Sequence, residues 1–163
     1  MFDQLTSLVR EYSGDSIIKN PAIPNEKNDE AVGLASSSIV DGLKNAVAGG
    51  NTSALTNMFS GGSQNVADAG ITQNISGNFV EGLVQKLGLD KGKASQIANS
   101  LIPMVMAKFV NKTNDPNDNS FDLSSILGSL TGGGNMGDML GKITGGNGKD
   151  GGGLMDKVKG FFN

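Results

Sequence analysis

The side chains that most often carry out chemistry in proteins are largely missing from this chain. Its 163 residues include no cysteine, no histidine and no tryptophan. Without cysteine there is no disulfide framework, no thiolate zinc site and no cysteine nucleophile. Without histidine there is no Ser-His-Asp triad and no imidazole metal ligand. Chemistry would have to come from the carboxylates, the lysines, the hydroxyls, Arg10 and Tyr12.

One polar loop has the oxygen-rich spacing of a calcium site. Three oxygen ligands stand at alternate positions, as a hard cation prefers, and they are Asp115, Asn117 and Asn119. The EF-hand pattern also needs Gly at its sixth position and Glu at its twelfth, where this chain has Ser120 and Ile126. We therefore favour a turn rich in asparagine and aspartate, in which Ser120 or Asp122 caps the next helix, and we assign no metal ligand.

Two further sequence patterns, one rich in glycine and one rich in carboxylates, are relevant to phosphate binding and to acid–base catalysis. A phosphate-binding P-loop requires G-x-x-x-x-G-K-[ST] after a strand, whereas residues 145–150 read GGNGKD and fit a flexible linker better. The carboxylates Glu26, Asp29 and Glu30 are close in sequence, but acids at the start of a helix interact favourably with its dipole. The sequence therefore assigns no catalytic residue and no cofactor, and we predict that the chain is not an enzyme.

These groups are carried by a chain whose apolar residues recur at helical spacing almost throughout. Six segments show this pattern, and they span residues 2–12, 29–48, 55–59, 71–87, 94–110 and 123–130. Gly49-Gly50 and Gly88 are predicted to stop helices, because glycine takes the left-handed conformation without a steric penalty. Pro103 lies inside the fifth segment and predicts a kink there, since proline removes a backbone donor.

The helical segments suggest an internal duplication. Residues 1–62 and 71–130 follow the same order of amphipathic helix, long helix and short helix, and a Gly-Gly pair ends each series, at residues 61–62 and 132–133. A true duplication would give two similar helical layers around a pseudo-two-fold axis. The alternative is that any helical protein matches itself at helical spacing, and the sequence leaves both interpretations open.

A more specific repeat lies in the C-terminal region. Residues 126–133, ILGSLTGG, match residues 139–146, MLGKITGG, and residues 154–162, LMDKVKGFF, form a looser third copy. A helix this short needs a surface on which to bury its apolar side, which could be the domain itself, another copy of the chain or a lipid interface. The predicted interaction residues are the apolar ones of the second and third copies, namely Met139, Leu140, Ile143, Leu154, Met155, Val158, Phe161 and Phe162.

The third copy is also a candidate for contact with a membrane surface. Its apolar residues face away from Asp156, Lys157 and Lys159, as in interfacial helices. Its charge is weak and Gly160 interrupts it, so docking onto protein is the favoured interpretation. The longest apolar run, residues 101–107, is about a third of the ~20 residues that a spanning helix needs. With no signal-peptide pattern at the start, we expect a cytoplasmic protein.

Residues 79–90, FVEGLVQKLGLD, and residues 94–103, ASQIANSLIP, resemble the bacterial YidB-like family of unknown function. Members of that family tend to show a helix ending in Leu-Gly-Leu and a second helix reading Ala-x-x-x-x-Leu-Pro. They often continue into Leu-Leu-Gly and Gly-Gly repeats, which residues 126–146 echo. The resemblance covers residues 79–146 and implies a small all-helical bacterial protein, but it brings no activity.

Together these features predict an all-α fold. We expect a small multi-helix bundle over residues 1–130, which a duplication would divide into halves 1–62 and 71–130, and a Gly-rich tail over residues 131–163. With 13 Lys+Arg against 16 Asp+Glu, the net charge is -3, which argues against nucleic-acid binding. We predict a non-catalytic structural or interaction module that self-associates or binds another protein. The alternative is a peripheral envelope protein anchored by its C-terminal segment.

Overall fold

The computed structural model describes residues 2–61, 66, 69–118, 121 and 123–130. The α-helices in these residues are α1 Phe2–Tyr12, α2 Asn28–Ala48, α3 Thr52–Ser60, α4 Gly70–Leu87, α5 Lys91–Thr113 and α6 Leu123–Leu130. The described part of the chain contains no strand, so the predicted all-α bundle is confirmed. The tail, residues 131–163, lies outside the described residues, and the division into a domain and a tail stays a prediction.

The connection between α1 and α2 holds two short elements that the sequence did not predict. A π-helix spans Gly14–Ile18 and a 3-10 turn spans Asn25–Lys27. The carbonyl of Ser13 accepts from the N–H groups of both Ile17 and Ile18, at 2.8 and 3.1 Å. This widening of the helix turns Ile17 fully into the core, which explains why the ordinary helical period does not continue beyond Tyr12.

The core is built around the two longest helices and α4. The largest interfaces join α4 to α5 and α2 to α4, while α1 packs against α2 and α5. Fully buried side chains from these helices include Ile39, Leu43, Phe79, Leu101 and Phe109. Burying each such side chain stabilises the fold by about 1.5–3 kcal/mol. The apolar stripes that predicted the helices are therefore the faces that meet.

A glycine allows the close approach of α2 and α4. A Cβ atom placed on Gly42 would overlap the Cγ1 atom of Ile75, which is itself fully buried. On the same two helices, the hydroxyls of Ser36 and Ser76 donate to the carbonyls of Val32 and Thr72, at 2.9 and 3.0 Å. These bonds satisfy small buried polar groups within their own helices. The α2–α4 contact thus depends on small residues.

The predicted glycine stops are confirmed. Gly50 and Gly88 have φ angles of 76° and 69°, in the region that favours glycine. The N–H groups of Gly88 and Leu89 both donate to the carbonyl of Leu83 and close α4. Asp90 then caps α5, because its carboxylate accepts from the N–H groups of Gly92 and Lys93 at 2.9 and 3.4 Å. Two long helices are joined here by only three residues.

Pro103 lies inside α5, which continues on both sides of it from Lys91 to Thr113. The kink predicted there stays a prediction. The duplication also stays a prediction, although a short helix follows a long one in each half. The first connections of the two halves differ, since residues 13–27 join α1 to α2 and residues 88–90 join α4 to α5.

Candidate interaction surfaces

The interaction residues predicted from the sequence lie in the tail, outside the described residues. They are Met139, Leu140, Ile143, Leu154, Met155, Val158, Phe161 and Phe162. The structure does describe the first copy of the repeat to which the second and third belong. Residues 126–130 of that copy form most of α6.

Helix α6 is held on the bundle by Phe121, two residues before its start, and by one face of its own. Phe121 is 4 % exposed and packs edge-on against Phe109, with ring centroids 5.0 Å apart. Phe109 makes a second edge-on contact with Phe59 of α3, at 5.6 Å. Edge-to-face aromatic pairs add about 0.5–1.5 kcal/mol to the burial of their area. A row of three rings therefore places the start of α6.

Within α6 the two faces differ sharply. Ile126 is 2 % exposed and Gly128 is buried, while Leu130 is partly buried against the core. Ser125 and Ser129 are exposed, and the hydroxyl of Ser129 donates to the carbonyl of Ser125 at 2.8 Å. Helix α6 packs against α2. The first copy of the repeat is thus an amphipathic helix docked through Ile126 and Gly128.

The loop with calcium-like spacing uses its carboxylates within the protein. The Oδ1 atom of Asp115 accepts from the N–H of Asn117 at 2.9 Å, as in the turn favoured above. Asp118 pairs with Lys112 at 3.0 Å, and this hydrogen bond and charge raise the pKa of Lys112 above 10.5. Asn119, Ser120 and Asp122 lie outside the described residues, which contain no cluster of three metal-binding side chains.

The acidic residues near the start of α2 lie at its N-terminal turn. Asp29 and Glu30 are in the first turn of α2, and Glu26 lies in the preceding 3-10 turn. Asp29 pairs with Arg10 of α1 at 2.9 Å, and its side chain is 80 % exposed. Exposed pairs of this kind contribute about 0–1 kcal/mol. The position at the positive end of the helix dipole explains these acids without an acid–base role.

Two adjoining cavities lie where α2 ends, α3 runs and α4 begins. Their volumes are about 570 and 250 Å³, and both are lined by Asn51, Ile71 and Asn74. The larger also contacts Asn57 and Met58, and the smaller Asn45 and Asn78. We call this surface the asparagine groove, defined by Asn45, Asn51, Asn57, Asn74 and Asn78. Sequence reasoning missed it, because only the fold brings the three helices together; the pair Asn74 and Asn78, one turn apart, was the one available signal.

A third cavity, of about 460 Å³, lies between the π-helix and the first half of α5. Asp15 and Ser16 line one side, and Lys93 and Ser100 line the other. Asp15 also pairs with Lys19 at 3.2 Å, with both side chains largely exposed. The carboxylate thus already has an ion-pair partner on its own segment.

Comparison with protein-family models, with curated proteins and with solved structures finds no match to this chain. Among the described helices, none is long and apolar enough to cross a bilayer.

Proposed function

We propose that this chain is a non-catalytic structural protein that self-associates through the apolar helical segments of its tail. The observation that carries the proposal is the docked helix α6. It is the first copy of a segment that the chain carries again at residues 139–146. A chain that carries the pattern of a docked helix again has further segments of the same type available for association.

The second copy keeps the positions that are buried in α6 and changes those that are exposed. At an offset of 13 residues, buried Ile126 corresponds to Met139 and buried Gly128 to Gly141. Exposed Ser125 and Ser129 correspond to Asp138 and Lys142. An acid and a base four residues apart form a favourable pair on a solvated helix face. This pattern supports a second amphipathic helix whose apolar face corresponds to the buried face of α6.

A partner surface is needed because so short a helix is marginal in water by itself. The predicted apolar residues of this second helix are Met139, Leu140 and Ile143, and those of the third copy are Leu154, Met155, Val158, Phe161 and Phe162. In its own chain, the surface that binds α6 is already filled. That surface is equally filled in every copy, so the apolar faces of tail helices from two chains would be buried against each other, and we therefore propose a homo-oligomer.

The charged groups of the described residues support a role in assembly over one in catalysis. The ion pairs Arg10–Asp29, Lys19–Asp15 and Lys27–Glu30 lie on the surface. The buried polar side chains are hydroxyls, those of Ser13, Ser36, Ser38, Thr72 and Ser76. Catalytic acids and bases are usually tuned by burial and close charges, whereas these groups serve helix ends and helix faces.

We also propose kinship with the YidB-like family, supported by the connection between α4 and α5. Its Leu-Gly-Leu signature corresponds to Leu87, Gly88 and Leu89, where Gly88 has a positive φ angle and Leu89 is 8 % exposed. The signature thus has a physical reason, namely a tight turn between two long helices. This kinship carries no activity with it.

The oligomeric state tests the proposed function most directly. Light scattering on the full chain is expected to give a mass above 16.7 kDa, and Ile143→Asp with Met139→Asp is expected to return it to that of one chain. The matched control, Asp138→Lys with Lys142→Asp, exchanges the two charges at positions that correspond to exposed residues of α6 and keeps an opposite pair four residues apart. A monomeric full chain, or a double variant that assembles like the control, would contradict the proposal.

The second candidate is attachment to a membrane surface through the third copy. It is favoured by the separation of Leu154, Val158 and Phe161 from Asp156 and Lys157 on a helix. Flotation with anionic and neutral vesicles separates the two roles, because a self-associating protein in the cytoplasm would stay at the bottom of the gradient. Flotation that is lost in Phe161→Asp would favour the membrane instead.

A further inference from the structure

The asparagine groove has the chemistry of a site for an uncharged, hydrogen-bonding ligand. All five asparagine side chains are exposed, and none is paired within the described part of the chain. Asn51 stands at the N-cap of α3 without a side-chain hydrogen bond to that helix. Each side-chain amide offers two donors and an accepting oxygen. No described residue lining the two cavities is charged, so the described lining offers no ion pair to a charged ligand.

The small residues in the walls of the groove allow a polypeptide backbone to approach closely. Small residues stand between the asparagines, and they are Gly42, Ala46, Ala54, Ala69 and Gly70. Met58 and Ile71, which are 6 % and 8 % exposed, form an apolar floor. None of the described lining residues is aromatic. They therefore offer no ring on which a flat aromatic ligand could stack. A slim ligand with regular donors and acceptors fits such walls.

The spacing of the amides matches an extended peptide. Asn74 and Asn78 are one turn apart on α4, which places them about 6 Å apart along the helix axis. Carbonyl groups on the same side of an extended chain recur about every 6.6 Å. The two amides can therefore donate to successive carbonyls, while Asn45 and Asn51 face the same cavity from α2 and from the N-cap of α3.

We propose that the asparagine groove binds an extended glycine-rich segment from the tail of a second copy of this chain. The tail contains the runs 132–134, 145–146 and 151–153, which are glycine throughout. Such runs carry no charge and no side chain that would hold a backbone away from the groove walls. The segment TGGGN, residues 131–135, directly follows α6 and precedes the second copy of the repeat. Docking it would bring that second copy onto the partner chain.

This inference rests on the proposed self-association and gives it a second contact. A hydrogen bond between exposed groups contributes only about 0.5–1.5 kcal/mol net, so the groove alone would bind the tail weakly. The glycine-rich segment and the apolar helix belong to the same tail. Once one of them is bound to the partner chain, binding of the other is intramolecular, and the two contacts together strengthen the assembly. The groove thus sets where the tail lies, and the apolar repeat supplies most of the affinity.

The test uses full chains and the absence of native cysteine. Unlabelled chain with Asn135→Cys carries a nitroxide and is mixed with ¹⁵N-labelled chain, and broadening of the asparagine side-chain NH₂ signals is measured. We expect selective broadening at Asn74 and Asn78, with Asn99 on the surface of α5 as an internal reference. Reduction of the nitroxide should restore the signals.

A matched pair of variants locates the contact. Asn74→Asp with Asn78→Asp keeps the shape but turns donors into charged acceptors that repel peptide carbonyls, and is expected to abolish the broadening at Asn45 and Asn51. Asn99→Asp adds charge to an exposed site outside the groove and is expected to leave the broadening unchanged. Both sets of side chains are exposed, and circular dichroism checks that both variants fold.

The outcomes distinguish failure of this inference from failure of the proposed function. An oligomer whose nitroxide broadens signals outside the groove overturns this inference and leaves the proposed function standing. A monomer without broadening overturns both. Shifts of the groove amides caused by a neutral trisaccharide, together with no broadening from the tail, would reassign the groove to a sugar and overturn the inference.

Discussion

At the scale of single residues, the contact between α2 and α4 depends on a missing side chain. Gly42 leaves room for Ile75, which fills the space that a Cβ atom would occupy. Glycine inside a helix normally costs about 0.5–1 kcal/mol relative to alanine. The chain accepts this cost at Gly42 because the two helix axes can then approach closely. Gly33 lies on the same helix and has no atom within 4 Å of its added Cβ.

These two glycines should respond to alanine in opposite directions. Gly42→Ala forces Ile75 or the helix to move, and overpacking of this kind costs about 1–3 kcal/mol. Gly33→Ala gains helix propensity and should stabilise the fold by up to about 1 kcal/mol. Urea denaturation of both variants measures the difference in the free energy of unfolding. Equal effects at the two positions would show that the close contact does not exist in solution.

The pair of Lys112 and Asp118 gives a prediction about pH. The pKa of Lys112 is raised above 10.5, first by its hydrogen bond to Asp118 and then by the charge of that carboxylate. A group whose pKa is raised in the folded state stabilises the fold below the unfolded pKa. That contribution is therefore present at neutral pH and is lost as the pH rises above 10.5, through the folded pKa.

Replacing Asp118 should lower the pKa of Lys112. Asp118→Asn keeps the shape but removes the charge, so the pKa of Lys112 is expected to fall toward 10.5. Titration followed by the ¹³Cε chemical shift of Lys112, in the unmodified chain and in the variant, measures the change. An unchanged Lys112 titration would mean that the pair is not formed in solution.

At the scale of elements, the helices were predictable and the surfaces between them were not. The periods of α4 and α5 are visible in sequence because Ile75, Phe79, Ile97 and Leu101 repeat toward one core. The π-helix was missed, because a wider turn breaks the ordinary helical period after Tyr12. The asparagine groove was missed because it needs three helices in register, which local periodicity does not encode.

The aromatic row that places α6 leads to a prediction about that element. Phe121→Ala removes a buried ring that packs on Phe109, and truncating a buried Phe costs about 3–5 kcal/mol. Because Phe121 lies two residues before the first residue of α6, we expect much of the loss to appear as undocking of that helix. Hydrogen exchange at the amides of α6 should therefore accelerate more than exchange in α4.

The matched control for this variant is Phe2→Ala. Phe2 is 47 % exposed at the start of α1, so the same truncation should change stability by about 0.5 kcal/mol or less. Both variants lose one phenyl ring, and they differ in burial. If exchange in α6 is as slow in Phe121→Ala as in the unmodified chain, the helix is held by its own face alone, through Ile126 and Leu130.

At the scale of the whole molecule, assembly would use one apolar contact and one uncharged polar contact. The repeated segments bury Met139, Leu140 and Ile143 in the proposal, and the asparagine groove contributes amides. Neither contact pairs opposite charges, even though 18 % of the residues are charged. In the same proposal, Asp138 and Lys142 of the second copy would lie on its solvated face. The forces that hold the oligomer should therefore differ from those that attract a protein to an anionic membrane.

Salt dependence separates these two kinds of association. Raising the ionic strength from about 0.1 to about 1 M shortens the Debye length from about 10 to about 3 Å, which weakens electrostatic attraction and leaves apolar burial intact or slightly strengthened. The mass measured by light scattering is therefore expected to stay constant or to rise across this range. Calorimetric dilution should also show a negative heat-capacity change of association, the marker of apolar burial. An oligomer that dissociates at high salt would require ion pairs between chains, and the surface to search would then be the lysines of α5 facing the acids of a second copy.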